Sequence, residues 1–212
     1  MTTAETRLPR AFFARPVLEV APDLLGRHLR FGGVEVRLTE VEAYAGHLDP
    51  GSHAYRGKTP RTRPMFGPAG FTYVYFTYGA HWCVNLVVGD EGAASAVLLR
   101  GAEVVAGEDL VRARRGPVRD RDLTRGPGRL GQALALSKVH SGLDFCRPAL
   151  GEPIDLAVSA GRPADPGRVR VGPRVGVSGP GGDAAAYPWR FWVHGEPSVS
   201  TYRPGAVRRP RS

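Results

Sequence analysis

Three short segments rich in aromatic and β-branched residues follow one another in the middle of the chain, separated by short turns that contain glycine. They are Phe71–Tyr78, Trp82–Val88 and Ala93–Leu99. Such residues favour the half-buried surface of a strand, and turns this short connect antiparallel neighbours. Upstream, Val34–Tyr44 alternates as a half-buried strand does. The centre of the chain is therefore predicted to be a meander of antiparallel strands.

Helical and further strand patterns surround this meander. Helical spacing covers Val17–Leu29, Glu108–Arg115 and Leu130–Lys138, and strand patterns return at Ile154–Val158, Val169–Val177 and Arg190–Val193. No internal repeat or long linker divides the 212 residues. We predict an α+β fold: a single domain with a mixed, mostly antiparallel, curved β-sheet core and surrounding helices. We place this domain at residues 16–202, between a flexible N-terminal arm (1–15) and a basic flexible C-terminal tail (203–212).

The net charge limits the partners. A formal charge of +9 and a pI of about 10.2 favour a polyanion, either nucleic acid or an anionic membrane. Nearly all of the cationic residues are arginines, and a high arginine content can also result from genomic base composition. No apolar run is long enough to cross a bilayer and no signal peptide is recognisable, so we expect a cytoplasmic protein. Cys83 and Cys146 are expected to be free thiols.

Two glutamates stand in an unusual place. In the strand Val34–Tyr44, the period of two puts Glu40 and Glu42 in line with the apolar residues of one face. One interpretation is that the strand leaves the core at its end and both carboxylates are solvated. The other is that one carboxylate lines a pocket, where it would serve as a general base.

The residues after position 70 are unusually aromatic. Phe71–Gly79 contains five aromatic residues, and His81 and Trp82 follow. Tyrosine combines a flat face for stacking with a hydroxyl that needs a polar partner, which suits nucleobases presented outside a helix. An aromatic-rich sheet core is the alternative.

Two further segments resemble phosphate contacts. In the loop His53–Arg63, four cations alternate with glycine, threonine and proline, and acidic residues are absent. Gly126–Arg129 offers exposed amides and a cation at a helix start, although many helices begin this way without a ligand. The histidines and cysteines lack the spacing of a metal site, and no nucleotide-binding fingerprint is present. We therefore expect neither a metal nor a cofactor.

In order along the chain, several motifs resemble the alkyladenine (3-methyladenine) DNA glycosylase family. They are Val41-Glu42-Ala43-Tyr44, His53, Thr59-Pro60-Arg61-Thr62-Arg63-Pro64-Met65-Phe66, Tyr73-Val74-Tyr75-Phe76-Thr77-Tyr78-Gly79, His81-Trp82-Cys83-Val84-Asn85, Ala96-Val97-Leu98-Leu99-Arg100, Gly126-Pro127-Gly128-Arg129-Leu130 and Pro173-Arg174-Val175-Gly176-Val177. The resemblance covers roughly residues 10 to 200. Each motif is weak alone, but the collinear series is specific.

The resemblance implies a role for each matched residue. Glu42 would be the general base that activates water, with Arg100 and the main-chain carbonyl of Val175 helping to hold that water. The flipped base would stack among three aromatic side chains and lie against an asparagine: Tyr44, His53, Tyr75 and Asn85. The vacated place in the DNA stack would be filled by Tyr78. The phosphate contacts would be Thr59, Arg61, Arg129 and Lys138.

Two positions depart from the family pattern, Ala80 beside the expected wedge and Val139 after Lys138, and both concern DNA binding rather than the pocket. The implied activity is base-excision repair: flipping an alkylated or deaminated purine out of duplex DNA and hydrolysing its N-glycosidic bond. No lysine stands at the matched pocket positions, so a monofunctional enzyme is expected. The expected partner is double-stranded DNA with damaged purines, bound by a monomer associated with the nucleoid. Two alternatives stay open: a non-catalytic nucleic-acid-binding protein, and an N-glycosidase acting on RNA or nucleosides.

Overall fold

The protein is organised around one antiparallel sheet. The structure is a computed structural model that describes residues 7–77, 79–147 and 156–206. Its strands are His28–Phe31 (β1), Val34–Ala45 (β2), Thr72–Thr77 (β3), His81–Val88 (β4), Ser95–Ala106 (β5), Ala157–Val158 (β6), Val169–Gly172 (β7) and Arg190–Val193 (β8). The helices are Arg10–Phe13 (α1), Val17–Asp23 (α2), Glu108–Arg115 (α3) and Pro127–Ala133 (α4). The predicted α+β single domain is confirmed.

The central strand β2 has partner strands on both of its edges. The strand order is β3-β4-β5-β2-β1-β6, and β8 pairs with both β2 and β7. On one side β2 pairs with β5, and on the other it pairs first with β1 and then, at Glu40–Glu42, with β8. The pairing with β5 carries register shifts around Glu40. Because both edges of β2 are covered at its end, the strand does not leave the core there.

The helix expected over Val17–Leu29 is shorter than predicted. It ends at Asp23, and Leu29 belongs to β1. The break falls at Gly26, which has a φ of +80°, and a Cβ there would lie 2.5 Å from the main-chain nitrogen of Ala164. A side chain therefore has no room at this turn, and the chain reverses into β1.

The third predicted helix is displaced toward the N-terminus. Instead of Leu130–Lys138, helix α4 covers Pro127–Ala133. Pro127 suits the first helical position, and Ala135 takes a positive φ of 53° that ends the segment. A Cβ at Gly131 would lie 1.9 Å from the carbonyl oxygen of Trp82, so the helix packs directly on β4 through this glycine.

The last third of the chain follows its strand predictions in part. Of the predicted strand Ile154–Val158, Ala157–Val158 forms β6, Leu156 precedes that strand, and 154–155 lie outside the described residues. Strand β7 ends at Gly172 because Pro173 cannot continue the ladder. The residues after Pro173 are thereby free to turn toward the end of β2.

Both predicted terminal extensions contain residues that contact the domain. Within the segment 7–15, α1 places Phe13 in the core with no exposed surface. At the other end, the carbonyl oxygen of Arg203 accepts a hydrogen bond of 2.8 Å from the Gly176 amide. The flexibility expected of 1–15 and 203–212 stays a prediction. Within the described residues, no helix is both long and apolar enough to span a membrane.

Candidate active site

Glu40 and Glu42 are both fully buried. In the sheet, Glu42 lies opposite Leu98 of β5 and Arg190 of β8. The interpretation that both carboxylates are solvated is therefore wrong, because side chains and main chain from other parts of the protein cover this face of β2. Two buried carboxylates need compensating charge and hydrogen bonds, since an unpaired buried charge is very unfavourable.

Glu42 is held by three donors from three parts of the chain. The Val175 amide donates to its Oε1 at 2.7 Å, and the Tyr44 hydroxyl donates to its Oε2 at 2.9 Å. Arg100 of β5 contacts both oxygens at 3.3 Å. These contacts fix the orientation of the carboxylate. The Val175 group that reaches Glu42 is the main-chain N–H.

Arg100 lies between the two glutamates. Its Nε is 3.1 Å from Oε1 of Glu40, while its Nη1 and Nε approach Glu42. Burial lowers the pKa of Arg100, but the charges of Glu42 and then Glu40 outweigh this effect and raise the pKa above its usual value. The guanidinium therefore carries its positive charge at every accessible pH.

An aromatic cavity of about 380 Å³ opens beside this carboxylate cluster. Its wall includes Tyr44, His53, Tyr73, Tyr75, Asn85, Arg100 and Val175, together with residues 50–52 and 176–178. The volume lies within the range of small-ligand sites. Glu42 is not part of the wall itself, but its three donors, Tyr44, Arg100 and Val175, are. The carboxylate therefore sits directly behind the cavity surface.

Three aromatic rings of the cavity wall contact one another. Tyr73 and Tyr75 stack with their centroids 5.4 Å apart and an angle of 25° between the rings. His53 stands edge-on to Tyr75 at 4.6 Å, and its Nδ1 is 3.3 Å from the Tyr73 hydroxyl. The side-chain amide of Asn85 donates to the Tyr73 carbonyl at 3.1 Å, which fixes the direction of the amide.

These aromatic groups are uncharged near neutral pH. Desolvation, followed by the charge of Glu42, raises the pKa of Tyr44 well above its usual value. Desolvation also raises the pKa of Tyr75, with Cys83 as the next cause. The pKa of His53 is lowered, because its aromatic neighbours withhold water from the ring and Arg61 repels the imidazolium. The rings therefore present neutral faces to a ligand.

A buried ion pair supports the cavity from behind. Arg174 and Asp49 are both fully buried, with contacts of 2.5 and 2.7 Å between them. The Arg174 guanidinium lies 4.5 Å from the centroid of Tyr44 and also donates to the carbonyl oxygens of Ala43 and Gly181. One side chain thus ties together the end of β2, the turn before His53 and the segment around Val175.

The four predicted phosphate contacts are all exposed, but their surroundings differ. Lys138 begins a 3₁₀ turn, and Thr59 is hydrogen-bonded to the Thr62 hydroxyl. Arg129 donates to Asp122 at 2.7 Å. Arg61 lies 5.6 Å from the centroid of Tyr75, so it covers part of the aromatic wall as well as facing solvent.

The remaining DNA-facing predictions are less completely placed. Tyr78, the predicted wedge, lies outside the described residues. Its neighbour Ala80 is exposed, and Val139 is 77% exposed. Tyr73 and the Asp49–Arg174 pair were missed by the sequence reasoning. Tyr73 could have been found, because it lies two residues from Tyr75 on one strand and therefore shares its face. Nothing local marks Asp49 as the partner of Arg174.

Fold and cavity define a class before any comparison: a basic protein with a cavity lined by neutral aromatic rings, next to a buried carboxylate. A sequence model of the family described as "Methylpurine-DNA glycosylase (MPG)" matches residues 11–197. The chain belongs to the methylpurine-DNA glycosylase family, and the resemblance found in the sequence is confirmed.

Similar proteins carry the name "Putative 3-methyladenine DNA glycosylase". One from Streptomyces avermitilis is 54% identical over 212 residues, covering 98% of this chain and 97% of its own length. One from Frankia casuarinae is 53% identical, with 94% of both chains covered. A third, from Leifsonia xyli subsp. xyli, is 48% identical, with 92% of both chains covered. The similarity therefore extends over nearly the whole chain.

Proposed function

We propose that this protein is a DNA repair glycosylase that flips alkylated or deaminated purines out of duplex DNA and hydrolyses their N-glycosidic bonds. The observation that carries the proposal is a fully buried carboxylate, Glu42, held by three residues of an aromatic cavity of about 380 Å³. Family membership and the names of close relatives support the same activity. The product is an abasic site in the DNA.

The cavity favours a base made cationic by alkylation. Attachment of a methyl group at N3 or N7 gives a purine a positive charge, and aromatic faces attract a cation more than its neutral parent. Tyr44, His53 and Tyr75 are uncharged near neutral pH. Arg100 contributes a positive charge to the described wall, and two carboxylates offset it. Asn85, with its amide direction fixed, lies against the purine edge. Selection therefore begins with charge and continues with shape.

Glu42 acts as the general base. An alkylated purine is already a good leaving group, so the enzyme chiefly has to deliver water and stabilise positive charge developing on the sugar. Water bound at the junction of Tyr44, Arg100 and Val175 would give its proton to Glu42, whose negative charge also faces the sugar. Holding the carboxylate rigidly keeps it within the short reach that proton transfer demands.

The exposed cations supply the grip on DNA. Arg61, Arg129 and Lys138, with Thr59, contact phosphates, and Tyr78 fills the gap that the flipped base leaves. The chain has a formal charge of +9, which favours this long-range attraction. In this proposal the enzyme acts as a monomer on chromosomal DNA in the cytoplasm.

The enzyme is monofunctional. Strand cleavage by a glycosylase requires an amine that attacks the sugar and forms a Schiff base. Lysine is absent from the cavity wall in the part of the chain that the structure describes. Hydrolysis by water, without subsequent cleavage of the backbone, is the chemistry that the described wall supports.

A product assay tests this function. Purified protein is incubated with duplexes that each carry one lesion: 3-methyladenine, 7-methylguanine, hypoxanthine or ethenoadenine. We expect free base to be released and the backbone to break only after alkali. Tight binding without release would support a non-catalytic binding protein, and preferential release from RNA or free nucleosides would assign a different substrate. Backbone cleavage without alkali would contradict the monofunctional mechanism.

A further inference from the structure

Glu40 has no place in the cavity wall, yet it is the most heavily contacted carboxylate of the cluster. Its oxygens accept from Arg190 at 2.7 Å and from Arg100 at 3.1 Å. The amide and the hydroxyl of Ser200 donate to it at 2.6 and 2.7 Å. Both Glu40 and its guanidinium partners are buried, with exposed side-chain fractions of 0 to 7%.

Arg100 is therefore shared between two carboxylates, whereas Arg190 serves only one of them. The guanidinium of Arg190 contacts Glu40 and the Ser200 carbonyl, and it lies over the Trp192 ring. Two carboxylates and two guanidiniums sum to zero charge. In a buried cluster, each of these charges acts strongly on the others because little water screens them.

We propose that Glu40 is a positioning residue for Glu42. It holds Arg100 side-on through Nε and offsets part of its positive charge, so that less of that charge acts on Glu42. This inference rests on the proposed function, because it takes Glu42 as the base.

The C-terminal segment completes the arrangement. Ser200 lies after the family match, which ends at residue 197. Its hydroxyl donates to Glu40 and also accepts from Nη2 of Arg100 at 3.3 Å. Nearby, the Thr39 and Ser198 hydroxyls are 2.8 Å apart, which fixes the segment against β2. Residues 198–200 are thus part of the support for the carboxylate cluster.

Several groups other than Glu40 act on Glu42, and a pH argument has to include them. Those facing it are Tyr44 from β2, Tyr75 from β3, Arg100 from β5 and Arg174 from the segment after β7. The tyrosines stay protonated and the arginines stay charged over the working pH range, because the pKa of each is raised. The charges of these four groups therefore stay constant over the working pH range, and a shift of the acid limb in a Glu40 or Arg190 variant is not caused by their titration.

Two substitutions give opposite expectations. Glu40→Gln leaves the cluster with a net charge of +1, which disfavours protonation of Glu42. The acid limb of the rate profile should then move to lower pH by about one unit, the low end of what a charge within ~4–6 Å produces. Arg190→Gln leaves a net charge of −1 and should move that limb to higher pH. In Glu40→Gln the maximal rate should also fall about tenfold, less than the whole contribution of a general base.

The experiment measures single-turnover release of 7-methylguanine across pH, with the duplex fully bound at each point and spontaneous loss subtracted. Glu103→Gln is the matched control, because Glu103 forms an exposed ion pair with Arg37 on the same two strands. Its acid limb should coincide with that of the unaltered protein. Opposite movements in Glu40→Gln and Arg190→Gln establish the positioning role.

Unmoved acid limbs, with lower rates and lower melting temperatures, would mean that Glu40 only supports folding and would overturn the inference. If Glu40→Gln does not fold, the direction of the limb in Arg190→Gln decides. Glu42→Gln is run beside them to separate the two levels of the argument. If Glu42→Gln releases base normally, the proposed base is wrong, whatever Glu40 does.

Discussion

The ion pair behind Tyr44 gives a prediction with a defined size. Asp49→Asn keeps the shape of the side chain but removes the negative charge that faces Arg174, which is 0% exposed. Breaking a buried pair in this way costs about 3–5 kcal/mol, because the remaining charge stays buried without compensation. For a chain of this size, each kcal/mol lowers the melting temperature by about 2–4 °C, so we expect a drop of about 6–20 °C.

The matched control is Asp23→Asn. Asp23 pairs with Arg15 at 2.8 Å, but its side chain is 50% exposed. A surface pair contributes at most about 1 kcal/mol, and the melting temperature should fall by no more than about 4 °C. Thermal and urea unfolding of both variants measure the difference. Equal losses in the two variants would refute the reasoning that burial gives the Asp49–Arg174 pair its weight.

Three further predictions concern the cavity and its rim. Tyr44→Phe keeps the aromatic ring but removes the hydroxyl donor to Glu42. A hydrogen bond to a charged group contributes about 1.5–3 kcal/mol, so single-turnover base release should slow roughly 10- to 150-fold. An unchanged rate would contradict the importance of this contact. Lys138→Ala should reduce the slope of log affinity against log salt concentration by about the amount that one phosphate contact contributes, and lesion preference should stay the same. Binding titrations at several salt concentrations measure this slope. A changed preference would place Lys138 in the pocket. Arg61→Ala removes a positive charge that lowers the pKa of His53. The pKa of His53 should therefore rise, and the imidazole should become cationic at a higher pH than in the unaltered protein. An NMR titration that shows no rise would be inconsistent with this coupling.

Sequence patterns predict the helices and strands that depend mainly on residues close to one another in the chain. The helix Glu108–Arg115 and the strand Arg190–Val193 have the bounds predicted for them. Predictions fail where distant backbone decides: at Gly26, which approaches Ala164, and at Gly131, which packs on the Trp82 carbonyl. Neither contact can be predicted from the residues next to Gly26 or Gly131.

In the candidate site, too, some features follow from local sequence and others depend on distant parts of the chain. Alternation in β2 places Glu40 and Glu42 on one face, but their burial depends on Arg100, Arg190 and Ser200, which are 58 to 160 residues away in the chain. Such partners come together only through the sheet order. The family resemblance names the pocket residues, whereas the support behind them requires the structure.

The central claim is that Glu42 is the general base for hydrolysis. Glu42→Gln keeps the size of the side chain but cannot accept the proton of water, so release of 7-methylguanine in single turnover should fall by about 10²–10⁴. Affinity for a duplex carrying an abasic-site analogue should stay nearly unchanged, because the substitution leaves the proposed phosphate contacts and the aromatic rings of the cavity intact. The account would be contradicted if Glu42→Gln released base at the unaltered rate while Glu40→Gln was inactive.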